Sequence, residues 1–202
     1  MNCYNNRLTA LDLSENTALT KLFCGYNPLT ELDVSRNTKL TELLCHENQL
    51  TALDLTHNTA LATVYCPNNR LTALDLSKNT ALATLACSRN QLTALDLSQN
   101  TAITELYCNN NQLAALDLSR NTALTELYCN GNRLTTLDLS RNTELTKIYC
   151  DDNPLTELNI SNLSKIEEIV FGDNPEINVI ANSQTVVSDE VRHYMDGKRK
   201  TP

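Results

Sequence analysis

Leu113-Ala-Ala-Leu-Asp-Leu-Ser-Arg-Asn-Thr-Ala-Leu-Thr-Glu-Leu-Tyr-Cys-Asn-Gly-Asn-Arg133 is one repeat of twenty-one residues, and most of the chain is made of copies of it. Cys3, Cys24, Cys45, Cys66, Cys87, Cys108, Cys129 and Cys150 follow one another at that interval and set the register. Self-similarity at a fixed period of this size predicts a solenoid, in which each turn buries its apolar side only by stacking on its neighbours.

A shorter unit lies inside the repeat. Leu19-x-x-Leu22-x-Cys24-x-x-Asn27 is followed by Leu29-x-x-Leu32-x-Val34-x-x-Asn37, then by Leu40-x-x-Leu43-x-Cys45-x-x-Asn48. The Leu-x-Leu and Leu-x-Cys pieces have period two, which marks a short strand with one side inward. Each turn is expected to contribute two strands on opposite sides, giving two parallel sheets around a leucine core with little helix. Two asparagine columns, one from Asn27 to Asn153 and one from Asn16 to Asn142, fall at the corners. An amide carries both a donor and an acceptor, so these columns are expected to satisfy backbone groups that the sheets cannot pair.

Composition narrows the classes. The chain has 202 residues, of which 41% are hydrophobic, with two Phe and no Trp, so the core is mainly leucine. A net charge of -8 argues against nucleic acid, which needs a basic surface. No apolar run is long enough to span a membrane, and no signal peptide is seen. The chain opens at Met1-Asn2-Cys3, inside a repeat. A trimmed export signal or cap is the expectation there, and a naturally capless start is the alternative.

The cysteines do not read as a disulfide framework. Stacked at about 4.8 Å with parallel Cα–Cβ bonds, they miss the convergent approach of about 3.8 Å between Cβ atoms that a disulfide needs. A column of buried, unpaired thiols is expected. One-dimensional stacking also cannot supply a tetrahedral metal site, and no cofactor motif is present.

The pattern decays toward the C-terminus. Phe171 replaces cysteine, Leu163 stands where asparagine is due, Asn159 replaces aspartate, and Glu176-Ile177 breaks the register. Residues 1–170 therefore read as a solenoid of about eight turns, and 171–202 as a cap with a short helix and a flexible tail. Ser188 is the expected N-cap of that helix and Gly197 its stop, with Val191, Tyr194 and Met195 as its apolar stripe.

The string Leu-x-x-Leu-x-Cys-x-x-Asn-x-Leu-Thr-x-Leu-Asp-Leu-Ser-x-Asn-Thr resembles the bacterial nested class of leucine-rich repeats, in which a 21-residue turn holds two half-repeats (the IRREKO type). The resemblance runs from residue 1 to about 170 and implies a non-enzymatic binding scaffold, secreted or on a bacterial surface, some members being internalin-like adhesins.

Alternation fixes which residues face out. The residue before each cysteine forms a column: Phe23, Leu44, Tyr65, Ala86, Tyr107, Tyr128, Tyr149 and Val170. Glu105 and Glu126 lie on one flank of it, Asn109 and Asn130 on the other. Aromatic residues stabilise sheets by cross-strand stacking. An exposed aromatic stripe rimmed by polar groups also marks an interaction surface. Both readings stand, and the variable flanks favour binding. The candidate partner-binding residues are Phe23, Leu44, Tyr65, Tyr107, Tyr128, Tyr149, Glu105, Glu126, Asn109 and Asn130. The opposite side is monotonous, with Asp12, Asp33, Asp54, Asp75, Asp96, Asp117 and Asp138 in line. Carboxylates about 5 Å apart repel. Hydrogen bonds from neighbouring hydroxyls and backbone N–H groups are the expected offset, and weak cation binding is the alternative.

No catalytic constellation emerges. His46, His57 and His193 fall in different columns or in the cap, and the thiols point inward. There is no phosphate-binding glycine loop. Two functions remain. One is a protein-binding module, with carbohydrate as a variant ligand; the other is a spacer or stalk within a longer array. A monomer or a weak end-to-end dimer is expected.

Overall fold

In the computed structural model, residues 1–172 and 177–181 are described. The segment around each inward Leu of the Leu-x-Cys unit becomes a three-residue strand. These strands are β1 (Lys21–Phe23), β2 (Glu42–Leu44), β3 (Thr63–Tyr65), β4 (Thr84–Ala86), β5 (Glu105–Tyr107), β6 (Glu126–Tyr128) and β7 (Lys147–Tyr149). The other side of the coil supplies β8 (Glu157–Asn159), after which β9 (Glu168–Val170) returns to the first side. Strands β1 to β7 and β9 pair in that order as an eight-stranded parallel sheet. The register is one repeat throughout, Lys21 opposite Glu42 and Tyr128 opposite Tyr149. The ladder continues past the strand ends, as in Cys24 N–H to Leu44 O and Tyr26 N–H to His46 O, at 2.8 and 3.0 Å. Among the described residues there is no helix.

The middle residue of every strand in this sheet points into the core. Leu22, Leu43, Val64, Leu85, Leu106, Leu127 and Ile148 are fully buried, and Cys24 to Cys150 lie beside them. Each such leucine contributes about 1.5–3 kcal/mol relative to exposure. Phe171 occupies the last cysteine position and is buried. All eight cysteines are free thiols, and seven are buried. Burial pushes the Cys66, Cys108 and Cys150 thiols up to about 12, because a thiolate would lose its hydration there.

The second sheet is short. It pairs β8 with β10 (Asn178–Ile180), also parallel. The preceding turns cross this side without ladder bonds among the described residues. The turns are packed more openly here, since Leu74, Leu95 and Leu116 keep 7–8% exposure where their counterparts opposite have none. Each turn also closes on itself, Ser98 N–H donating to Asp96 Oδ1 at 2.9 Å. That local bond does not exclude a ladder, because Ser161 N–H donates to Asn159 in the same way where β8 pairs through Ile160 N–H.

Strand β10 corrects one expectation. Asn178 pairs with Glu157 and Val179 with Leu158, the same offset of one repeat, so the register runs through Ile177, which is buried. Glu176 merely stands where a leucine is due. The helix expected over 188–197, with Val191, Tyr194 and Met195, lies outside the described residues.

The two asparagine columns do different work. Asn48 Nδ2 donates to Cys24 O, Cys45 O and His46 O at 3.0–3.1 Å, while its Oδ1 accepts from Leu29 N–H. Asn69, Asn90, Asn111 and Asn132 repeat the pattern, so each amide ties one turn to the previous one. In the other column Asn58 Nδ2 donates to Val34 O and Asn37 O at 2.9 and 3.0 Å, but its buried Oδ1 has no protein partner. Asn37, Asn79, Asn100, Asn121 and Asn142 share that orphan acceptor.

Candidate functional site

A three-residue strand with its middle residue inward presents its first and third residues outward. On the large sheet the third position carries the expected column. Phe23, Leu44, Tyr107, Tyr128 and Tyr149 are half-buried, and Tyr65 is 39% exposed. Ala86 departs from expectation. It is 1% exposed, because its small methyl sits on the strand between those of Tyr65 and Tyr107.

The structure brings Tyr107, Tyr128 and Tyr149 together as one stack. Ring centroids are 4.8 Å apart at 22° for the first pair and 4.5 Å at 11° for the second. In-register parallel strands impose that spacing and overlay equivalent rings. The hydroxyls are tied down as well: Tyr107 donates to Glu126 Oε2 at 2.9 Å, and Tyr149 donates to Glu168 Oε1. Lys147 Nζ completes the network on Glu126 Oε1 at 2.9 Å. The Lys147 ammonium, with help from the Tyr107 hydroxyl, stabilises the charged Glu126 carboxylate and holds its pKa down against the opposing effect of burial. Burial first, and then the Glu126 carboxylate, push the Tyr107 phenol up. Tyr149 is raised to about 12, chiefly by its bond to Glu168. Phenols so arranged stay neutral donors at physiological pH.

The flanks are less open than alternation suggests. Asn109 Oδ1 accepts from Ser88 Oγ at 2.5 Å, which draws Asn109 back toward the sheet, and Asn130 is half-buried. Glu105 is half-buried and has no ion-pair partner among the described residues.

A second aromatic cluster escaped the column reading. Tyr4 and Tyr26, each 46% exposed, surround His46 together with Tyr65. The contacts are tilted or edge-to-face, at 5.3 Å for Tyr4–Tyr26, 5.2 Å for Tyr26–His46 and 4.9 Å for His46–Tyr65. Gly25 makes room for it: a Cβ there would lie 2.6 Å from His46 Cε1. Tyr26 holds a left-handed backbone at φ 54°, in the position that Asn5, Asn68, Asn110 and Gly131 occupy in other turns. A bulky side chain in that region carries strain of about 1–2 kcal/mol. Burial holds the His46 imidazole below its ordinary value, and its Nδ1 is buried without a partner. The available signal was Gly25, a glycine where other turns carry side chains.

On the opposite side each aspartate folds back on its own turn. Ser14, Ser35, Thr56, Ser77, Ser98, Ser119 and Ser140 each donate a backbone N–H to the aspartate two residues earlier, at 2.9–3.0 Å. These bonds lower the carboxyl pKa values, outweighing the raising effect of neighbouring aspartates. The expected offset to their repulsion is thus present. Shallow open grooves run along this side, one lined by Asp12, Asp33 and Asp54, another by Asp138 and Asn159.

No protein-family model matches the chain, and no curated protein matches it by sequence. Solved structures do. The functional domain of InlJ from Listeria monocytogenes, described as including a cysteine ladder, is 38% identical over 92% of this chain and 48% of its own, with a TM-score of 0.73. YopM, a leucine-rich effector protein from Yersinia pestis, is 28% identical over 80% of this chain and 44% of its own, at 0.67. A leucine-rich repeat protein from Leptospira interrogans is 21% identical over 95% and 51%, at 0.81, and supports the fold alone. The chain spans about half the length of each of these proteins. With its 21-residue period, its parallel sheet and its own column of thiols, the chain is a leucine-rich repeat solenoid of the kind found in bacterial proteins.

Proposed function

We propose that this solenoid is a non-catalytic scaffold for protein recognition, and that it binds through the tyrosine-bearing side of the large sheet. The observation that carries the reading is the stack of Tyr107, Tyr128 and Tyr149, locked by stacking and by carboxylates yet half-exposed. Tyrosine anchors held in place before contact lose little freedom on binding. The bacterial leucine-rich repeat proteins that share the fold, one of them an effector, support a role in protein contact. A secreted or surface setting, and membership of the nested 21-residue class, follow from the repeat resemblance as parts of this proposal. Carbohydrate is the variant ligand for the same stripe.

The competing reading is a structural spacer, and one observation favours it: the Tyr107 and Tyr149 hydroxyls are already used within the protein. Substituting Tyr107, Tyr128 and Tyr149 together with Ser separates the two. Capture of a partner by the immobilised protein should fall at least about tenfold, while circular dichroism shows the sheet intact. A capture level unchanged by the triple substitution rejects the binding role of this face.

A further inference from the structure

We propose that the C-terminal half of the tyrosine-bearing face, between Glu105 and Glu168, receives an extended basic segment of a partner protein that carries two arginines four residues apart. The proposal rests on the reading of this face as a binding surface and adds the partner's chemistry and spacing.

Charge along the first outward position of the strands is unevenly placed. Toward the N-terminus Lys21 balances Glu42 at 2.8 Å, and Thr63 and Thr84 are neutral. From β5 onward the series is Glu105, Glu126, Lys147 and Glu168. Lys147 is committed to Glu126, which also accepts from Tyr107. Glu105 and Glu168 therefore stand at the two ends of the stack with no ion pair of their own among the described residues, Lys147, which lies opposite Glu168, being turned to Glu126. Beside Tyr149, Asp151 and Asp152 add further negative charge, and one Asp151 oxygen is buried with no donor. A complementary surface on a partner is basic.

Spacing narrows the partner further. Glu105 and Glu168 lie three strand steps apart in the order β5, β6, β7, β9. Three steps amount to about 14 Å, and an extended chain covers the same about 14 Å in four residues while returning to the same side. Arginine suits the ends because its planar fork pairs with a carboxylate through two hydrogen bonds. Glu168 offers its second oxygen, the first being held by Tyr149. The arginine stems then lie along the tyrosine edges between the two carboxylates.

Calorimetric titration of the full chain with two capped peptides of identical composition tests this, one with arginines four positions apart and one with them three apart. The first should bind about tenfold more tightly, since the second sends its arginines to opposite sides of an extended strand. Replacing Glu105→Gln and Glu168→Gln together should abolish that preference. Replacing Asp96→Asn and Asp117→Asn, which removes equal charge from the opposite side, should leave it intact. Equal binding of the two peptides, or equal weakening by the two charge-removing pairs, overturns the proposal. If the triple tyrosine variant loses a protein partner while neither peptide binds the parent chain, this inference fails and the binding role of the face survives. If no partner depends on the tyrosines, both fail.

Discussion

On the cysteine side of the coil, Leu106 is sealed beneath strands that pair turn to turn; on the aspartate side, Leu95 keeps 7% exposure and the Ser98 N–H turns back to Asp96. One side spends its backbone groups on the neighbouring turn and the other spends them locally. A side bound together by its backbone can vary its outward residues freely, and the outward column there runs from Phe23 through Tyr65 and Ala86 to Tyr149. A side that closes on itself needs its aspartate and serine in every turn, and it is uniform. Sequence variety and backbone pairing therefore go together, and recognition is placed where the ladder holds.

The largest expected effect breaks this contrast in the core. Leu106→Ala should cost about 4 kcal/mol and Leu95→Ala about 2–3 kcal/mol, because the second cavity opens toward solvent and collapses more easily. Urea denaturation with matched m-values measures both; equal losses would mean that the two sides are equally sealed. The corners come next. Asn111→Ala leaves Leu92 N–H without an acceptor and takes one donor from each of three carbonyls, which keep another, and should cost about 2–3 kcal/mol; Asn100→Ala takes one donor from each of two carbonyls that also keep another and removes an orphan acceptor, at about 1 kcal/mol.

Acid sharpens the comparison from the aspartate side. The folded-state pKa values of Asp33, Asp96 and Asp138 lie below the ordinary 3.8, so the ionised form favours the folded chain. That stability is present above pH 3.8 and is lost as pH falls through the lower folded values. The melting temperature should therefore drop below about pH 4, and Asp96→Asn with Asp117→Asn should blunt the drop. The smallest effect expected is with EDTA. If the local N–H bonds alone hold the aspartates, the melting temperature moves by less than about 1 °C, whereas a loss of several degrees would point to a bound cation.

The eight cysteines at one interval made the solenoid legible, and period two in Leu-x-Cys placed the tyrosine column on the outside. Both readings depend only on equivalent positions in successive turns. The Tyr4, Tyr26, His46 and Tyr65 cluster was not legible, because it joins inequivalent positions: one residue past Cys3, two past Cys24, one past Cys45 and one before Cys66. Period alone cannot report a contact made across that diagonal. The narrowness of the second sheet escaped for a related reason, since ladder formation depends on the distance between turns rather than on the residues within one. Register beyond Ile177 was hidden by Glu176, although Val179 keeps the spacing from Leu158.

The thiol column carries a consequence for how the chain lives before it folds. Once the turns are stacked, Cys24 to Cys150 are shut away and too weakly acidic to form thiolate, so oxidants outside find almost nothing to attack beyond Cys3. Until then every sulfur is open to its seven siblings, and chance cross-links would scramble the coil. Swift closure, turn upon turn, is the chain's protection against its own sulfur chemistry.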